Sequence, residues 1–289
     1  MSRLAIERDE ERSRWRKTVW LRTFYIGIVL IVLDLVALVG GGYVLETILR
    51  KVTPAHGLFD LVHRFLPVLD VRFLTHVGLL ASIVMILIGC FYNPDRRPFI
   101  FLMVAYWVFV RTVCMIVTVL PIPEGGLPEY LPITHFQSFW DYVFAGLNTR
   151  YVLFFSGHTG LPFLGWLLFR KTRVSVKSFA FPLALATVIW FIGHEGYGWW
   201  QPATVVLGWF VFAIFHKEWV NLGRCMLIWS FIMAASVLLI RSHYTLDVIA
   251  AYGITGWNVY WLGKRYFFHK IEKICMYYGR DRTAATEQK

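Results

Sequence analysis

Two short segments hold residue types suited to phosphorus chemistry: Ser156-Gly157-His158-Thr159 and His243-Tyr244-Thr245-Leu246-Asp247. Asp247 follows His243 by four residues, so on a helix the two side chains share a face. The carboxylate can then accept a hydrogen bond from one imidazole nitrogen. This sets the tautomer, leaves the other nitrogen as a nucleophile and stabilises the imidazolium that forms. His158 is placed to protonate the leaving oxygen as general acid. Ser156 and Thr159 offer hydroxyls to phosphate oxygens, Gly157 lets the backbone approach closely, and Tyr244 belongs to the same binding group. Each segment opens an apolar run, and a helix N-terminus presents N–H groups and partial positive charge to an anion. A phosphate cradle made from two such termini is the joint expectation. A pair of interfacial histidines hydrogen-bonded for packing is the plainer alternative.

Three arginines accompany these segments. Arg111 falls inside an apolar span, where an ionisable group is costly and usually functional. It is read either as a phosphate or carboxylate partner or as a structural pair with Asp34. Arg150 and Arg241 flank the two segments, and guanidinium groups bind phosphate in bidentate fashion; ordinary contact with lipid headgroups is the other reading. Glu46, Glu124 and Glu129 are outer acids that could meet a cationic headgroup. The histidines lie at helix ends, which does not suit axial haem, and no His-x-x-Glu-His pattern or compact ligand cluster occurs. No metal or cofactor is expected.

The elements that must position these residues follow from composition. The 289-residue chain is 57% hydrophobic and 16% charged, with a mean hydropathy of +0.56. Soluble domains carry about a quarter charged residues, so an all-α, polytopic transmembrane bundle is expected. Apolar runs near Val19–Val39, Phe73–Phe91, Phe99–Leu120, Thr159–Phe169, Phe179–Ile192, Trp200–Phe215, Cys225–Ile240 and Tyr244–Leu262 give about eight spans, or six if one hairpin is re-entrant. Residues 1–18 read as a basic cytoplasmic tail, 19–263 as the transmembrane catalytic domain and 264–289 as a cytoplasmic C-terminal tail. With the N-terminus inside, 21 of the 29 Lys and Arg residues fall in inner segments and six in outer ones, while Arg22 and Arg111 lie within spans. The net charge of +11 is therefore topological, and nucleic acid is not an expected partner. The same orientation brings His158 and His243, 85 residues apart, to one extracytoplasmic face.

Two outer stretches suggest interfacial helices. In Gly40–Arg72, Leu58, Leu61, Val62, Phe65, Leu66 and Leu69 recur at helical spacing; Phe136–Leu147 is the second. Each reads either as a lid or lipid-entry element or as packing against the bundle. The hairpin Phe179–Phe215 carries His194 and Glu195 in its outer turn, either reaching the site or capping a solvated turn. Cys90, Cys114 and Cys225 lie in spans and Cys275 in the inner tail, so no disulfide is expected.

At these residues the chain resembles the sphingomyelin synthase branch of the type-2 phosphatidic acid phosphatase superfamily. Ser156–Thr159 matches that branch's Ser-Gly-His-Thr, and His243–Asp247 with Val248 and Tyr252 matches its His-Tyr-Thr-x-Asp-Val-x-x-x-Tyr. Arg97, Tyr106, Arg111, Thr118, Leu120, Pro121 and Pro123 resemble a third element of the branch. The resemblance implies a metal-independent mechanism in which His243, assisted by Asp247, attacks a lipid phosphoester and a phospho-histidine intermediate forms. His158 would protonate the departing alcohol and later deprotonate the acceptor. That acceptor is a lipid alcohol such as ceramide or diacylglycerol in the transferases and water in the phosphatases. Both remain open. The transferases' Cys-Gly-Asp is replaced by Arg150-Tyr151-Val152, Cys90 stands at the phosphatases' first-motif lysine, and Val237 follows Ser236 where they have arginine. A non-catalytic lipid transporter or binding protein is the alternative from another class. Membrane lipids are the expected substrates, and homo-oligomerisation stays open.

Overall fold

In a computed structural model the chain is described over residues 3–49, 58–118, 120, 123–127, 154–192, 200–215 and 218–274, with side chains of the first helix over 14–40. The described residues are mostly helical: α1 (Arg3–Leu49), α2 (Leu61–Phe65), α3 (Arg72–Tyr92), α4 (Arg97–Val117), α5 (Gly157–Phe169), α6 (Val176–Ile192), α7 (Trp200–Phe215), α8 (Leu222–Leu239) and α9 (Thr245–Gly253). A wider π-helical stretch over Ile254–Phe268 continues α9. Among the described residues, four helices are long and apolar enough to cross a bilayer: Arg14–Gly40, Arg72–Tyr92, Pro94–Val117 and Leu222–Leu239. The other expected spans also form helices, but α5, α6 and α7 hold only 13, 17 and 16 residues. At about 1.5 Å per residue these fall short of a core about 30 Å thick.

α5 is short because it is a core helix. All but two of its residues are buried, including His158 and Thr159, and it is apolar all round, as a helix enclosed by others should be. It packs along α8, where Gly165 faces the Met226 side chain and Gly223 meets the Phe169 carbonyl. A Cβ at Gly223 would lie 2.7 Å from that backbone oxygen, so any larger residue would force the helices apart. Around this axis Phe99, Phe155, Phe169, Phe179, Leu164 and Leu222 are fully buried. Polar links lock the helices in register. Ser230 donates to the Thr159 carbonyl (2.9 Å) and contacts the Tyr252 hydroxyl (3.2 Å), and Trp107 Nε1 donates to Thr255 Oγ1 (3.0 Å).

The helices alternate in direction, so their connections collect at two ends. At one end, β1 (Arg173–Ser175) pairs antiparallel with β2 (Trp219–Asn221), with Val174 opposite Val220. Asn93 Nδ2 donates to Thr172 Oγ1 there (3.0 Å), and Glu272 joins Arg96 (3.2 Å) and Lys264 (3.1 Å). At the other end, the Leu69 and Leu127 amides donate to the Leu239 and Ile240 carbonyls (3.0 and 2.8 Å). Both histidine segments lie at this second end.

The stretch before α3 differs from the helix expected of its spacing. α1 runs on to Leu49, and only Leu61–Phe65 of the Leu58–Leu69 repeat is helical. Asp60 caps this single turn through the amides of Val62 and His63 (3.0 and 3.4 Å), and Pro67, which lacks an N–H, ends it. Leu58, Phe59, Leu61 and Phe65 are exposed, leaving an apolar face as an interfacial element would. Phe136–Leu147 lies outside the described residues.

Candidate active site

The site forms where the starts of α5 and α9 meet. The Ser156 amide donates to the Asp247 carbonyl (3.4 Å), joining the two motifs directly, and the Gly160 amide donates to the Ser156 carbonyl (3.0 Å) to begin α5. His158 and His243 face each other at a ring-centroid distance of 6.4 Å and an interplanar angle of 64°. Ring centroids this close allow both imidazoles to reach one phosphorus, since hydrogen-bond reach of about 3 Å on each side tolerates about 10 Å between the groups. His243 Nδ1 lies 3.5 Å from Asp247 Oδ2, and that oxygen also accepts the Tyr244 amide at 3.0 Å. The carboxylate is thus held by backbone and turned to one ring nitrogen, which directs His243 Nε2 away from it. Ser156, His158, Thr159, His243 and Asp247 are all buried, and Thr159 Oγ1 donates to Ser156 Oγ (3.3 Å).

Arg111, from the C-terminal half of α4, reaches the same place. A Cβ on Gly157 would sit 2.8 Å from Arg111 Nε and 3.0 Å from its Cζ, so the guanidinium lies flat on the first residue of α5. Glycine is required there for closeness, not for an unusual backbone angle.

Below Arg111 and His158 an apolar cavity of about 270 Å³ runs between α1, α3, α4 and α5. Leu35, Leu38, Ile83, Val104, Trp107 and Ile100 line it, with Cys90 at the far end, where the Arg97 side chain donates to the Cys90 carbonyl. Ile100 and Arg111 are eleven positions apart on α4, a rise of about 16 Å. Leu35, Ile83 and Leu87 are among the exposed lining residues, so the slot opens sideways between α1 and α3.

Other expected site residues serve differently. α9 does not offer its N-terminus as half of a cradle, because its first donors are already accepted by carboxylates: Tyr244 N–H by Asp247, Thr245 N–H by Asp60 Oδ2 (2.6 Å). The start of α5 instead lies against the Arg111 guanidinium. Arg241 turns to neighbouring segments at this end, where Nη2 donates to the His63 and Leu66 carbonyls (2.6 and 3.2 Å) and Nη1 to that of Glu124 (3.4 Å). It occupies a left-handed φ of 52° just after α8, an unfavourable place for a non-glycine residue that puts its side chain within reach of three carbonyls. The Tyr244 hydroxyl accepts the Leu58 amide (2.9 Å). Tyr106 bonds Asn258 (3.1 Å), and Arg97 lies at the opposite end of α4 from Arg111, so both are structural. Arg150, Glu129, His194, Glu195 and Cys275 lie outside the described residues, as does the side chain of Glu46.

Sequence reasoning missed Asp60 and His63. His63 is buried, its ring 6.5 Å from that of Tyr244, and its Nδ1 is 3.8 Å from Asp60. Burial pushes its pKa down against the pull of Asp60. Burial also pushes the Asp60 carboxyl up, but the two hydrogen bonds from Thr245, with His63 nearby, outweigh it and hold the group below its ordinary value. The available signal was Asp60-x-x-His63 within the leucine- and phenylalanine-rich stretch Leu58–Leu69. Among the described residues no group of three or more His, Cys, Asp and Glu side chains could hold a metal ion. Comparisons with protein-family models, with curated proteins and with solved structures find no match to this chain.

Proposed function

We propose that this chain is an integral-membrane lipid phosphotransferase that moves a phospho-headgroup between a phospholipid and a lipid alcohol, ceramide or diacylglycerol, through His243. One observation carries the reading: two facing histidines, one paired with a buried carboxylate, stand beside an arginine at the polar end of an apolar slot. The slot is about 16 Å long, and one leaflet of a bilayer core is about 15 Å deep. A lipid tail in the slot would bring its phosphate to Arg111, the start of α5 and both imidazoles.

In the first step His243 Nε2 attacks phosphorus. The P–N bond forms as the P–O bond to the leaving alcohol breaks, and His158 supplies the proton that this oxygen takes. Asp247 offsets the charge that develops on the His243 ring. In the second step the acceptor hydroxyl gives its proton to His158, its oxygen bonds to phosphorus, and the P–N bond breaks. In this reading the chain makes eight passes with both termini cytoplasmic and the site extracytoplasmic, as the 21-to-6 partition of basic residues favours.

Hydrolysis at the same site, as a lipid phosphate phosphatase or phospholipase C-like enzyme, is the second reading. It is favoured by Arg150-Tyr151-Val152, which lacks the acidic residue of the transferase motif. Purified protein given a headgroup-labelled phospholipid, with and without ceramide or diacylglycerol, separates the two. Label in the lipid acceptor supports transfer, and label released to water supports hydrolysis. Turnover unchanged in both His158→Ala and His243→Ala would remove the site from either.

A further inference from the structure

The outer turn before α3 is built onto the start of the helix that carries Asp247. Asp60 accepts the Thr245 amide through Oδ2 (2.6 Å) and the Thr245 hydroxyl through Oδ1 (3.0 Å). The same Oδ1 accepts the amides of Val62 and His63, so one carboxylate begins two helices. Leu58 donates to the Tyr244 hydroxyl, and Arg241 grips the carbonyls of His63 and Leu66. The Asp60 side chain is only 7% exposed, so these bonds compete little with water.

We propose that Asp60 is a positioning residue for the His243–Asp247 pair, gripping Thr245 from the outer turn to set the rotation and depth of the first turn of α9. The proposal rests on the reading of His243 as nucleophile. Asp247 Oδ2 accepts the Tyr244 amide, so its place beside His243 follows the backbone of residues 244–247. Asp60 holds the next amide along. The first turn of a helix has the fewest internal bonds, so without that grip it is the part that frays. A displacement of about 1 Å at reacting groups costs on the order of a hundredfold in rate.

The test compares Asp60→Asn, Thr245→Val and the double variant with Asp70→Asn. Asp70 lies in the same outer stretch and pairs with Arg72, two residues on, at 2.6 Å. Turnover of labelled phospholipid and amide hydrogen exchange over residues 244–248 are read on each. In the single variants at Asp60 and Thr245, kcat should fall roughly 10- to 100-fold with KM nearly constant, and exchange over 244–248 should accelerate. The double variant should be no slower than the slower single variant, because both cut one link. Asp70→Asn should match the wild type. Intact kcat, additive losses, a change in KM alone or unaltered exchange would each overturn the proposal. If Asp60→Asn does not fold, Thr245→Val, which removes only the hydroxyl link, decides by the same readouts. His243→Ala runs alongside: full turnover there defeats the nucleophile reading, while the exchange data still judge the Asp60 grip.

Discussion

Filling the slot partway along should shorten the lipid tail the protein prefers, by an amount that follows from helix geometry. Val104 lines the cavity seven residues before Arg111 on α4. A Val104→Trp substitution would close the slot there, leaving about 10 Å of the original 16 Å or so. A saturated chain advances about 1.25 Å per carbon, from a C–C bond of about 1.5 Å zigzagging at the tetrahedral angle. The wild-type slot therefore takes about 13 carbons and the variant about eight. At about 0.8 kcal/mol per buried methylene, five lost methylenes cost about 4 kcal/mol, or about a thousandfold in affinity for the longest chains. Overpacking is a modest concern, because the indole enters a void of about 270 Å³. The assay is thermal stabilisation of detergent-solubilised protein by a homologous series of n-alkyl phosphates, in which a ligand bound to the folded state raises the unfolding midpoint. The optimum should move shorter by about five carbons, with little change for the shortest ligands. An identical chain-length profile in the two proteins would refute the assignment of the slot to a lipid tail.

Further expectations concern residues around the site. Gly157→Ala would place a methyl within about 3 Å of the Arg111 guanidinium, so phosphate affinity should drop several-fold in equilibrium binding while the fold persists. Arg241→Gly and Arg241→Ala both lose the clamp on the His63, Leu66 and Glu124 carbonyls, but only glycine relieves the positive φ. The glycine variant should thus be the more stable by about 1 kcal/mol in denaturant unfolding. His63 has its folded pKa pushed below the unfolded value of about 6.5, so its neutral form is favoured in the fold. Stability should be full above that value and decline as pH falls from about 6.5 toward the folded pKa, and His63→Gln should flatten this slope in unfolding midpoints measured against pH.

Local patterns in the sequence located the helices but not the contacts between distant segments. α5 and α9 begin at Gly157 and Thr245, where the motifs place helix starts, with Ser156 and Tyr244 as their extended N-cap residues. His158 and His243 were expected on one face, and their rings do meet, at a centroid distance of 6.4 Å. By contrast, Asp60 meets Thr245 across 185 residues, and a lone Asp in an outer turn carries no local signature of that partner. For the same reason Arg241 read as a phosphate ligand. Its charge and place beside the motif were visible, but the three carbonyls that receive it come from two other loops. The two-stranded ribbon Arg173–Ser175 with Trp219–Asn221 is too short to show a strand period.

The central claim, that His243 carries the phospho-headgroup during transfer, is tested most directly by acid quenching of a headgroup-labelled phospholipid reaction. Peptide mass spectrometry then locates any adduct. The expected result is label on the His243 imidazole in the wild-type protein, absent in His243→Ala together with turnover. Turnover without an adduct at His243, undiminished in His243→Ala, would contradict it.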